Sequence, residues 1–87
     1  MVIEHNNKRY NFNDSINYVY TKVIGNPISF NDICMYLSVY TKQDPEISLR
    51  TLCEKDVVYI VEKCIKDEII DIYGQETWNK HINSYSI

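Results

Sequence analysis

Glycine and proline each occur only twice in the 87 residues, at Gly25, Gly74, Pro27 and Pro45. Glycine supplies the positive φ of many tight turns, and proline interrupts helices and sheets alike. A chain this poor in both argues against a loop-rich or sandwich-type fold and leaves room for long helices. The stretch from Ile28 to Gly74 constrains the fold most. It reads as a short apolar start, one helix, a turn carrying Pro45 and a longer helix. The run Ile69-Ile70-Asp71-Ile72-Tyr73 then reads as a strand, because β-branched and aromatic residues favour one.

The length is that of one domain, residues 1–87, with a thin core. An apolar content of 45% is ordinary for a globular chain and argues against wholesale disorder. No apolar run approaches the length of a membrane span, and a basic and hydrophobic signal sequence is lacking, so a cytoplasmic protein is expected. Richness in Ile, Asn, Lys and Tyr fits an AT-rich coding genome such as that of a virus, a plasmid or a low-GC microbe. The net charge of −3 is unlike that of a protein that coats DNA, so the distribution of cations matters more than their sum.

Three cysteines, Cys34, Cys53 and Cys64, are too few and too widely spaced for a secreted disulfide framework, and they read as small buried hydrophobes. His5 and His81 sit near opposite ends of the chain, so no metal site is expected. The sequence has no phosphate-cradling glycine loop, nucleophile elbow or HExxH. The acids Asp67, Glu68 and Asp71 read as a solvated helix end. Neither catalysis nor a cofactor is expected.

From the start, Val2–His5 and Lys8–Phe12 flank Asn6-Asn7, and asparagine tolerates the positive φ of a hairpin turn. Residues 1–12 can therefore form a small hairpin, which must pack on the helices or pair with the later strand. Lys8 and Arg9 are the only adjacent basic pair and read either as a solvated hairpin tip or as a phosphate-contacting arm. Asn13 or Asp14 can cap a first helix, 14–24, with Ile16, Val19, Tyr20 and Val23 on one stripe and Tyr18 off it. Gly25 and Asn26-Pro27 end it. Ser29 or Asn31 caps a second helix, 30–42, which buries Phe30, Ile33, Leu37 and Tyr40, while Ile28 can form a short strand before it. Lys42–Glu46 is polar and breaks this helix.

A third helix is expected over 48–67. Steps of about 100° per residue place Leu49, Cys53, Val57, Ile60 and Cys64 on one side, with Val61 at its edge. Lys55, Tyr59, Glu62, Lys63 and Lys66 fall on the other. Such a face reads as a solvated surface with i,i+3 and i,i+4 charge pairs, or as a surface reaching phosphates and base edges.

The run from Val57 to Tyr73 resembles the end of a winged helix-turn-helix recognition helix passing into its wing strand, although Glu68 stands where the family commonly has glycine. The resemblance covers residues 28–74. It implies a mainly helical α+β fold, a three-helix winged helix-turn-helix with a small β wing over 69–79. It also implies double-stranded DNA as partner, with the third helix in the major groove and the wing on the adjacent backbone. Carried onto this chain, that nominates Arg50, Lys55, Tyr59, Lys63 and Lys66, with Lys8 and Arg9 as the arm.

Beyond the run, Gly74-Gln75-Glu76 can turn the chain, and Thr77–Ile82 reads as a second wing strand or a short terminal helix. Trp78 reads as a core lid or a ligand platform. Ile82, Tyr85 and Ile87 make an apolar tail that must dock on this chain or on a partner, so Trp78, Ile82, Tyr85 and Ile87 are the candidate interface of a homodimer. Two functional readings follow: a small DNA-binding transcriptional regulator, or a non-catalytic protein-interaction module that uses exposed tyrosines and the tail.

Overall fold

The computed structural model describes residues 1–86. Asn6 and Asn7 both take left-handed φ values, 50° and 63°. They join β1 (Val2–His5) to β2 (Lys8–Asn11) as an antiparallel hairpin in which Ile3 faces Tyr10 and Glu4 faces Arg9. Strand alternation sends Tyr10 into the core and Arg9 to solvent.

Asn13 caps α1 (Asp14–Ile24) by accepting from the Ser15 N–H, and Gly25 closes it at φ 103°. The expected bounds of this helix are thus met. Ile28 is buried but forms no strand; its N–H instead donates to Asn17 Oδ1 at 3.0 Å. Ser29 and Asp32 form a reciprocal capping box at the start of α2 (Phe30–Thr41). Ile33 and Leu37 are buried as expected, whereas Tyr40 is exposed and Tyr36 takes its place inside. The Tyr36 hydroxyl donates to the Glu68 carboxylate, and this polar anchor selects Tyr36 over Tyr40.

The expected third helix, 48–67, is two helices. Asp44 accepts from the Glu46 N–H and Pro45 occupies the first turn of α3 (Pro45–Thr51). Asp before Pro is a strong start signal, since the cap is satisfied and the missing N–H costs nothing at that position. Ser48 is fully buried, with its hydroxyl 3.0 Å from both Gln43 Nε2 and Thr41 Oγ1, which ties α3 to the end of α2. Leu52 and Cys53 are extended, and α4 (Glu54–Tyr73) begins after them. Cys53 is therefore an exposed N-cap and not part of a buried stripe. Its Sγ donates to Asp56 Oδ2 at 3.2 Å, a contact between side chains that leaves the first backbone N–H groups of α4 without a side-chain cap.

Residues 69–79 form no wing. Ile69–Tyr73 are the last turns of α4, because Ile65 and Ile69 continue its buried stripe at i,i+4 spacing. The strand preference of the isoleucines is overridden by this packing. After Gly74, at φ 97°, the chain forms α5 (Gln75–Tyr85), so Thr77 and Trp78 are helical as well. The described residues thus make a mainly helical fold with one two-stranded sheet. α4 is its hub and packs against α1, α2, α5 and β2. The core joins Tyr10 and Phe12 of the N-terminal segment to Val19, Ile33, Leu37, Val57, Val61 and Ile65.

Candidate interaction surfaces

The inner stripe of α4 (Val57, Ile60, Val61, Ile65, Ile69) fixes what its outside presents. Lys55, Tyr59, Lys63 and Lys66 are all exposed there, with Tyr59 at 66%, so the expected shared face forms. It extends for about 16 Å at 1.5 Å per residue. The same helix carries Glu54, Asp56, Glu62, Asp67, Glu68 and Asp71 against its three lysines. Acids therefore outnumber bases twofold on the element nominated to meet phosphates. Besides Asp56 and Glu68, which accept from Cys53 and Tyr36, Glu62 accepts from the Asn13 N–H at 2.7 Å, and the Lys66 ammonium lies 5.6 Å from the Trp78 ring centroid.

Lys8 is half-buried, and its ammonium donates to the Leu49 carbonyl near the end of α3, so it joins the hairpin to the helices. Lys8 is therefore not a wholly solvated hairpin tip. Arg9 is exposed and faces Glu4 at 3.4 Å, an exposed pair of small energetic weight. Arg9 and Lys55 border one shallow depression, whereas Lys8 and Arg50 line another cleft. The structure thus gathers four of the nominated cations around the hairpin in two pairs, and it leaves Lys63 and Lys66 farther along α4.

Ile82 and Tyr85 of the apolar tail dock on their own chain. Trp78 is 5% exposed within the core, Ile82 is half-buried against it, and Tyr85 packs on Tyr18 with ring centroids 5.4 Å apart. Trp78 is consequently closed to a partner in this fold, while Tyr85 retains an exposed edge. Ile87 lies outside the described residues.

The outer face of α2 escaped the sequence reading. Met35 and Val39 lie one turn apart, opposite buried Ile33 and Leu37, and are 47% and 67% exposed. Tyr40, 49% exposed, lies on the other side of the helix, in line with Ile33 but beyond the reach of the core. The signal was available, since residues 35 and 39 are apolar at i,i+4 spacing about 200° from the core stripe.

Tyr20, Asp32, Tyr36 and Glu68 form one cluster between α1, α2 and α4. Burial, reinforced by the Asp32 carboxylate, pushes the Tyr20 phenol up to about 12. Burial and the bonded Glu68 carboxylate raise Tyr36 as well. The half-buried thiols of Cys34 and Cys64 are pushed up by burial, which disfavours the reactive thiolate. The cysteines are free, and no group of three metal-ligating side chains comes together among the described residues. No helix among them is long and apolar enough to cross a membrane. Comparisons with protein-family models, curated proteins and solved structures find nothing that matches this chain.

Proposed function

We propose that this chain is a non-catalytic protein-interaction module that engages a partner through the outer face of α2. The observation that carries this reading is the exposure of Met35 and Val39 on a helix whose opposite side is already committed to the core. Met35 and Val39 are already partly covered, so burying the rest of either is worth about 1–2 kcal/mol, and Met is a side chain that adapts to varied partner surfaces. A photo-cross-linking residue at position 39 should give a discrete adduct in cells, and one at exposed Asn26 should not. Equal labelling at both positions, or none at 39, removes the reading. Sedimentation across a concentration series separates a second copy of this chain, the homodimer expected from the sequence, from a different protein.

Double-stranded DNA remains the second reading, favoured by the shared exposure of Lys55, Tyr59 and Lys63 on α4 and by the short α3–α4 connection. The helix's excess of acids weighs against it, since counter-ion release by basic groups drives most duplex affinity. Fluorescence anisotropy with mixed duplex at about 50 and 200 mM salt distinguishes the two, because phosphate-driven binding falls steeply over that range. Salt-sensitive binding lost in a Lys55→Glu/Lys63→Glu double variant would restore DNA as the partner. No binding at low salt would leave the α2 surface as the functional face.

A further inference from the structure

Between the hairpin tip and the helices α2 and α3 lies a cleft of about 670 Å³. That size falls within the range of small-molecule sites. One wall is aromatic: the His5 ring stacks on Phe30 with centroids 3.8 Å apart and planes 24° from parallel. Cys34, Leu49 and the ring of buried Tyr10 add apolar surface. The cleft is therefore mostly apolar, with a flat aromatic side.

Its charges are unbalanced. The Lys8 ammonium is half-buried and held by a neutral carbonyl, that of Leu49, with no carboxylate at ion-pair distance among the described residues. An ammonium has three donors, so two remain for another acceptor. Arg50 lines the same cleft, likewise has no ion-pair partner among the described residues, and offers a planar fork that matches a carboxylate. The one acid in the lining is Glu46, exposed in the first turn of α3. A partly desolvated cation beside an apolar wall is stabilised by an anion that brings its own apolar body.

We infer that this cleft binds a small organic carboxylate with an aromatic or branched apolar body, its carboxylate between Lys8 and Arg50 and its body against Phe30 and His5. A phosphate backbone would leave the apolar wall unused, which favours a small amphipathic anion over a nucleic acid. The inference stands on the cleft alone, so its failure would leave the α2 surface untouched.

Amide-resolved NMR titration tests it with three probes that share one ring: phenylacetate, 2-phenylethanol and 2-phenylethylamine. Phenylacetate should give saturable shifts at His5, Cys34 and Leu49, the alcohol should bind about tenfold more weakly, and the amine should be weakest. Arg50→Gln, at an exposed position, should weaken phenylacetate about tenfold, while Glu46→Gln should tighten it. Equal response to the three probes, or no saturable shifts at the cleft, overturns the proposal. An Arg50→Gln protein that binds phenylacetate as tightly as the parent also overturns it.

Discussion

Helices α2 and α4 supply the two sides of one core, and their outward faces differ in kind. Over Lys55–Lys66, α4 shows Lys55, Tyr59, Lys63 and Lys66 among interleaved acids, a surface that water solvates well. Beyond it, at Ile72 and Tyr73, the helix exposes apolar side chains. α2 shows Met35 and Val39, which water solvates poorly. The difference teaches that the charged face needs no partner to be stable, whereas the apolar face gains free energy when covered. An inner face is explained by the fold it builds. An outer apolar face on the same helix has no such explanation within the monomer, and the proposed contact through α2 rests on that difference.

The largest test addresses what the two helices share. Leu37→Ala on α2 and Ile65→Ala on α4 remove fully buried side chains, and each should cost about 2–5 kcal/mol in urea unfolding. A cost below about 1 kcal/mol for either would mean that its helix does not depend on the common core.

A smaller effect is expected where α2 and α4 meet through polar groups. Tyr36→Phe deletes the donor to Glu68 and should cost about 1–3 kcal/mol, since the bond involves a charged acceptor. The same cluster predicts an alkaline limit. Tyr20 has its phenol raised from 10.0 to about 12, so the folded state holds that proton more tightly than the unfolded chain. Its stabilising contribution is complete below pH 10 and is lost as pH rises through about 12. Tyr20→Phe should flatten this decline in a pH series of thermal melts, and an unchanged slope would exclude Tyr20 as its source.

Smaller still is the N-terminus of α4. Cys53→Ser places a hydroxyl at the N-cap, with Asp56 three residues on, and should stabilise by about 0.5–1 kcal/mol in thermal melts. The smallest stability changes belong to the outer faces. Val39→Glu and Lys63→Glu should each stay within about 0.5 kcal/mol of the parent. They should part company in partner capture by a cross-linker at position 35, which Val39→Glu abolishes and Lys63→Glu preserves. Loss with both variants would dissolve the contrast between the two helices.

The difference between α1 and the α3–α4 segment shows what could be read in advance. The bounds of α1 follow from Asn13 and Gly25, and the start of α2 from Ser29 with Asp32. The hairpin follows from Asn6 and Asn7 in the same way. No glycine or proline marks the break at Leu52–Cys53, and Cys53 occupies a cap position where Ser or Thr is the familiar sign. Of the surface, the Lys55–Lys66 face was legible because helical periodicity alone places it. The restraint of Lys8 by Leu49 was not, because those residues are 41 apart in the chain.

By itself, then, the sequence determined the elements whose decisive hydrogen bonds close within a few residues: the asparagine hairpin and the caps of α1 and α2. Only the tertiary structure decided that Ile69–Tyr73 remain helical, that Tyr36 replaces Tyr40 inside, and that Ile82 and Tyr85 pack within the chain. Those outcomes depend on which surface a residue is buried against. Isoleucine runs serve helix or strand equally well until Ile65 and Ile69 meet the core, and Tyr36 is favoured only because Glu68, 32 residues away, accepts its hydroxyl. Local hydrogen bonding is written in neighbouring residues, whereas burial is settled by partners that only the folded chain brings together.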